Sequence, residues 1–323
     1  MRVISLFLLL VFSTASACSE QETKAFEDYV DTLKSDAQSK GFSADFLEDV
    51  FDDITFRPSV VKSDKNQPEK KITLDDYLST RVPDWKVEQA VTHLNEHKTL
   101  LTEIGQKYGV QPRFIVALWG NESNFGRIQG SHSVLSALAS LAFEGRREAL
   151  FKKNFFAALT ILREGHTTVD KLKGSWAGAM GQSQFMPVSF LNYAVDYDGD
   201  GKKDIWNNPA DVFASIANYL SSEGWDENGT WGRQVLLTSP ITEYGLAKKA
   251  YKPLSYWHDN GVTRYNGAPL PNANISASLI MPDGEKGRIY LVYNNFHTLM
   301  KWNRSQYFGV SVGYLSERIK RGY

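Results

Sequence analysis

The chain of 323 residues has a single cysteine, Cys18. One cysteine excludes a disulfide framework and every zinc site built from several thiolates. An excess of charge of one sign is also missing, since 36 Lys and Arg face 37 Asp and Glu for a formal net charge of −1. A nucleic-acid binder needs a concentrated basic surface, so no nucleic-acid partner is expected. The Gly-rich stretch 174–187 lacks the Lys-Ser/Thr of a phosphate-binding loop. Six histidines (His93, His97, His132, His166, His258, His297) are scattered along the chain. His93 and His97 are four apart, but Leu94 and Asn95 follow His93, so the His-Glu-x-x-His pattern of zinc proteases is missing. The histidines read as surface or packing residues. No internal repeat or low-complexity segment stands out. The rest of the composition, 42% hydrophobic and 23% charged, is that of a soluble globular protein with one large domain or two modest ones.

Arg2, an apolar run over 3–12 and the small residues 13–17 ending Ala15-Ser16-Ala17 form the pattern of a secretory signal peptide. The run is too short to span a bilayer as a helix of the mature protein. Cleavage after Ala17 leaves 306 residues with 35 basic and 37 acidic side chains, a net charge of −2. Cys18 then becomes the first residue, the position of the lipidated cysteine in bacterial lipoproteins. Ala15 stands three residues before it, where Leu is usual. Two readings stay open, lipid attachment to a membrane through Cys18 or a free N-terminal thiol. Both place the protein outside the cytoplasm.

Hydrophobic spacing predicts helical structure over 24–56, where Phe26, Val30, Leu33 and Ala37 share a stripe. The polar stretch 57–72 reads as a loop. A long amphipathic helix is expected over 84–108, ended by Gly109, and another over 113–122 after Pro112. Further helices are expected at 133–143, 146–164, 187–194, 209–223 and 296–320. Beyond Trp225, strands are expected at 235–237, 276–281 and 287–293, the last two joined by the turn Pro282-Asp283-Gly284. The sum is an α+β protein, predominantly α, with a small β element.

Three segments carry chemistry. In Trp119-Gly120-Asn121-Glu122-Ser123-Asn124-Phe125-Gly126, a carboxylate closes an apolar helix among aromatics and glycines. Desolvation there disfavours the charged form, and a raised pKa suits a general acid. The segment from Gly174 to Pro187 offers Ser175, Gln182 and Gln184 as neutral hydrogen-bonding groups beside aromatics, a mixture suited to sugars. It reads equally as a tightly packed Gly/Ala turn. The third segment, from Asp196 to Trp206, matches the start of an EF-hand-type loop, with Asp196, Asp198 and Asp200 at positions 1, 3 and 5. Gly201 stands at position 6, the backbone carbonyl of Lys202 at 7 and Asp204 at 9. Position 12 is Asn207 in place of the usual Glu. Asp211 is the next acid, placed to close the shell and to cap the helix after Pro209. A structural Ca2+ is expected, with Na+ as the alternative, and no organic cofactor.

In this order the segments resemble the lytic murein transglycosylases of the membrane-bound B type. The likeness spans roughly 24–320 and is strongest over 177–187, the Asp-rich loop and Ala217-Asn218-Tyr219-Leu220. It resumes at Tyr293-Asn294-Asn295-Phe296 and Trp302-Asn303-Arg304-Ser305. The resemblance implies a lysozyme-like helical core over 18–323, with a cation loop at 196–211 and a C-terminal α/β part from about 226. It implies cleavage of the β-1,4 bond between N-acetylmuramic acid and N-acetylglucosamine in peptidoglycan glycan strands. Glu122 matches the acid/base. Ser175, Gln184 and Tyr219 match cleft positions, and Asn303 and Tyr307 contribute from the C-terminal part.

Glycosidases that hydrolyse usually need two carboxylates, and no second acid accompanies Glu122 in these motifs. A transglycosylase avoids that need, because the muramoyl 6-hydroxyl attacks in place of water and leaves a 1,6-anhydro end. The rival readings are a lysozyme-type muramidase, a non-catalytic peptidoglycan-binding protein, and a calcium-dependent scaffold protein of the envelope.

Overall fold

The computed structural model describes residues 4–66 and 72–322, with side chains from Gln21 onward. The signal-peptide segment and Cys18 therefore lie outside the described side chains. The chain forms two compact units, Met1–Pro68 with Gln129–Asn192, and Glu69–Ile128 with Tyr193–Tyr323.

The first unit is built around helix Val134–Glu144. Every residue over 134–142 is buried, as expected for a helix that is apolar all round. Phe26, Leu33 and Ala37 of helix Ile4–Ser39, Leu47 and Phe51 of Ala44–Phe51, and Phe155 and Leu159 of Glu148–Arg163 complete this core. The helical region expected over 24–56 is interrupted at Gly41, whose left-handed φ of 84° lets the chain turn before Ser43 caps the next helix. The stretch 57–72 departs from the expected loop, since Pro58–Lys65 is helical. Val60 is buried, and the buried carboxylate of Asp64 pairs with both Arg146 and Arg147. These tertiary contacts stabilise a helix whose polar surface carries no periodic signal. The loop before it borrows side chains for its backbone. The Thr55 amide donates to Ser136 Oγ at 3.2 Å and the Arg57 amide to Ser140 Oγ at 2.9 Å. A minimal antiparallel pair, β1 (His132–Ser133) with β2 (Lys173–Gly174), closes this unit.

The second unit is organised on helix Pro112–Ser123, whose residues 114–120 are all buried. Helices Asp84–Glu96, Lys98–Tyr108, Pro209–Ser222 and Gln306–Arg321 pack around it. The single helix expected over 84–108 is two helices, broken at His97, whose backbone (φ −103°, ψ 20°) leaves the helical path. Gly109 ends the second, at φ 65°. Beyond Trp225 lies a five-stranded antiparallel sheet. Its strands are β3 (Gly232–Leu237), β4 (Tyr251–Pro253), β5 (Val262–Arg264), β6 (Ser276–Ile280) and β7 (Ile289–Val292), in the order β4-β6-β7-β3-β5. β4 and β5 are too short to leave a pattern in the sequence. The sheet has its own core of Val235, Leu254, Trp257, Val262, Leu279 and Leu291, with Trp257 Nε1 donating to the Ala277 carbonyl at 2.9 Å. The architecture is α+β and predominantly α. Among the described residues, no helix is long and apolar enough to cross a membrane.

Candidate active site

The C-terminal turn of helix Pro112–Ser123 is shaped by a reversal of the chain. Asn124 and Phe125 both take left-handed backbone, at φ 51° and 60°, an uncommon state for an aromatic residue. The Phe125 amide donates back to the Trp119 carbonyl at 3.4 Å, and its ring folds over the helix. Gly120 makes the fold-back feasible, because a Cβ there would lie 2.6 Å from the Phe125 ring. Ser123 Oγ accepts from the Gly126 amide at 2.9 Å and fixes the exit. Asn121 ties the helix to Gln306–Arg321 through a 3.2 Å bond from Ser311 Oγ.

Glu122 sits on this braced turn. Trp302 Nε1 donates to its Oε1 at 2.6 Å. The Trp302 ring meets Tyr219 nearly edge-on at 4.6 Å, and Tyr219 meets Tyr193 at 4.5 Å. The Tyr193 hydroxyl donates to Glu223, which Lys301 pairs at 3.1 Å. Burial is the largest influence on the Glu122 carboxyl and pushes it up to about 7. The Trp302 N–H and the charge of Arg81 favour the ionised form and act the other way, with less weight. No carboxylate is among the groups that shift Glu122. An acid poised near neutrality can give up a proton and take one back.

The expected sugar-binding segment lies in the first unit. Ser175 Oγ accepts from the Ala179 amide at 3.0 Å, and Met180 and Phe185 exchange backbone hydrogen bonds. A Cβ on Gly174 would lie 2.3 Å from the Ala179 carbonyl, so a tight Gly/Ala turn is built here. Gln184 has left-handed backbone at φ 50°. Its Nε2 donates to the carbonyls of Gln129 (3.1 Å) and Gly181 (2.8 Å), which locks the side chain. Ser175 and Gln184 are both half-buried. Asn303 is exposed and ends helix Asn294–Trp302, its Oδ1 accepting from the Ser305 amide at 3.0 Å. The Tyr307 hydroxyl is held by Asp283 and by the Ile72 carbonyl, and its ring meets Tyr77 at 5.5 Å.

In the acidic loop, oxygens of Asp196, Asp198 and Asp211 lie within 4.8 Å of one another. Asp196 accepts the amides of Gly199, Asp200 and Gly201. Asp211 is buried and accepts from the amides of Tyr197 (2.8 Å) and Asp204 (2.7 Å). Burial raises its pKa, and the charges of Asp198 and Asp196 add to the rise. Asp211 therefore does not cap the following helix, because Asn208 does, accepting from the Ala210 amide at 3.0 Å. Asp200 accepts from the Lys202 amide, and Asp204 from those of Trp206 and Asn207. Converging hard oxygens suit a cation of the Ca2+ type.

The sequence profile of the transglycosylase SLT domain matches residues 25–317. The chain belongs to this family. Membrane-bound lytic murein transglycosylase B of Escherichia coli (strain K12) is 33% identical over 240 residues, which cover 73% of this chain and 64% of the length of that relative. SltB3 of Pseudomonas aeruginosa in complex with NAG-anhNAM-pentapeptide is similar at a TM-score of 0.86 and 39% identity, covering 91% of this chain and 79% of that one. The E. coli lytic transglycosylase Slt35 in complex with calcium is similar at a TM-score of 0.79 and 29% identity, covering 93% and 94%. For this SLT-family chain, the sequence reading misses three residues around Glu122. Trp302 lies in the motif Trp302-Asn303-Arg304-Ser305, which has no acid beside it to point to the indole's partner. Tyr77, whose hydroxyl is pushed up mainly by burial, and Arg81, whose charge acts on both Tyr77 and Glu122, stand in a helix the sequence pattern does not predict.

Proposed function

We propose that this protein is a peptidoglycan lytic transglycosylase in which Glu122 alone serves as acid and then base. The observation that carries this reading is a carboxyl near neutrality, hydrogen-bonded by Trp302 and shifted by no second carboxylate. The protonated acid gives its proton to the glycosidic oxygen as the bond to the muramoyl anomeric carbon breaks. The substrate's own N-acetyl oxygen supports the developing positive charge, and Ser175 and Gln184 are assigned to that N-acetyl group from the family resemblance. Ionised Glu122 then takes the proton of the muramoyl 6-hydroxyl, whose oxygen bonds to the anomeric carbon. The product is a 1,6-anhydro sugar and no water is consumed. Proximity favours this intramolecular attack. SltB3 in complex with NAG-anhNAM-pentapeptide supports this choice of substrate and product. Tyr219, buried against Trp302, is assigned with Asn303 and Tyr307 to substrate binding from the family resemblance.

Asp196, Asp198 and Asp211, with Asp200, Asp204 and the Lys202 carbonyl as further oxygens, would hold a Ca2+. Slt35 in complex with calcium supports this assignment. When bound, the cation neutralises the loop that precedes helix Pro209–Ser222, and that helix carries Tyr219. Residues 1–17 act as the export signal, which puts the enzyme in the periplasm, and Cys18 is then either the lipid attachment point at the outer membrane or a free N-terminal thiol. Metabolic labelling with a fatty acid, lost in Cys18→Ser, tests the anchor.

Mass spectrometry of muropeptides released from purified sacculi tests the reaction. Anhydromuramoyl ends are expected. Reducing muramic ends would make the protein a lysozyme-type hydrolase, and no release at all would make it a binding protein.

A further inference from the structure

We propose that His93, Glu96 and His97 form a second metal site, selective for a divalent transition cation of the Zn2+ type, at the junction of helices Asp84–Glu96 and Lys98–Tyr108. One ligand atom from each of the three lies within 4.8 Å of the others. The spacing is the reason. Residues three and four apart share a helix face, and His97 is the residue at which the helix breaks, its amide still bonded to the His93 carbonyl at 3.1 Å. Reading the histidines as surface or packing residues therefore captures only half of their environment, because Glu96 completes a cluster that the zinc-protease pattern does not cover.

The rings are held before any metal arrives. His93 packs against Trp119 and Phe125, each at 5.0 Å between ring centroids. His97 packs against Phe213 at 5.2 Å and Trp119 at 6.2 Å. The two imidazoles lie 22° from parallel, 6.4 Å apart. Ligands fixed by packing lose little rotamer freedom on binding. Glu96 is exposed and accepts at Nδ1 of His93 over 2.8 Å, so a metal would replace the shared proton and keep open positions for water. Two imidazoles and one carboxylate suit Zn2+, Ni2+ or Cu2+, whereas the all-oxygen Asp loop suits Ca2+. The two sites should therefore take different ions.

None of the three residues has a part in the reaction proposed for Glu122, although His93 packs on Phe125 of the turn that carries it. A cation here would clamp together two helices that pack around helix Pro112–Ser123. Its effect would appear as stability.

The test is titration calorimetry of the full chain with ZnCl2 in excess Ca2+, which occupies the Asp loop, together with thermal melts. A single Zn2+ per chain and a raised Tm are expected. Glu96→Gln, at an exposed position that should not disturb folding, and His93→Gln should each weaken Zn2+ at least about tenfold, since loss of an outer-shell partner alone commonly weakens metal binding that much. Asp198→Asn should leave Zn2+ binding unchanged. No zinc uptake in excess Ca2+, or uptake unaltered in Glu96→Gln, would overturn the proposal.

Discussion

Trp302 donates its indole N–H to Glu122 at 2.6 Å, a bond that favours the carboxylate against the burial that favours the acid. The acid strength of Glu122 is the balance of these opposed influences. Trp302→Phe removes the donor and keeps an aromatic ring beside Tyr219. The pKa of Glu122 should rise above about 7, and the alkaline limb of the kcat/KM profile should move to higher pH. An unmoved limb would show that Trp302 only fills space.

Glu122→Gln should retain the fold by circular dichroism and lose activity on sacculi by about 10²–10⁴-fold, the usual contribution of a general acid–base group.

The same substitution should stabilise the protein in alkaline solution. The folded carboxyl sits near 7 against 4.5 for an ordinary glutamate, so the folded state binds the extra proton between those values. Wild-type stability is fully present below about 4.5 and declines as pH rises through about 7. Glu122→Gln has no such decline. Melts at pH 4 should coincide for the two proteins, and at pH 8 the variant should be ahead by about 1–2 kcal/mol, after allowance for the carboxyl's partial contact with solvent.

Gly120→Ala puts a methyl group where the Phe125 ring lies, 2.6 Å from it. Phe125 is already held at a left-handed φ of 60°. Denaturant melts should show a loss of about 1–3 kcal/mol, the range for overpacking, and activity should fall with it because the turn carries Glu122.

Chelation should lower Tm through the acidic loop. Asp211 is buried among two other carboxylates, so removal of a cation leaves repulsion that the fold must bear. Ca2+ should restore the Tm more fully than Mg2+, which demands a tighter octahedral shell. Asp198→Asn should reduce both the loss and the recovery.

Most helices were legible in the sequence because their apolar residues repeat at helical spacing, as in 113–122 and 209–223. Pro58–Lys65 was not, since one buried valine and the Asp64 ion pairs hold it. The break at His97 was hidden because the hydrophobic stripe continues on both sides of it. The desolvated setting of Glu122 was legible from the glycines and aromatics around it, and the structure gives it a raised carboxyl pKa. Trp302 and Arg81 were harder to find, being separated from Glu122 by 180 and 41 positions in the chain, so only the fold makes them its neighbours. The ligand set of the Asp loop was read from a template that expects a Glu at position 12. Asp211, named in the sequence as the acid to close the shell, stands inside the next helix with an oxygen within 4.8 Å of those of Asp196 and Asp198, and the cap falls to Asn208.

The loop before helix Pro58–Lys65 leans on two serine hydroxyls of a buried helix, through the amides of Thr55 and Arg57. Its backbone order is therefore held from below by side chains. Ser136→Ala or Ser140→Ala would remove one oxygen from the core with almost no change in volume. The helix would stay intact while the amide above it lost its acceptor. Hydrogen exchange at Thr55 and Arg57 should then speed up locally, with no change in the slowest-exchanging amides of Val134–Glu144. Those two loop amides thus report directly on the interior of the first unit.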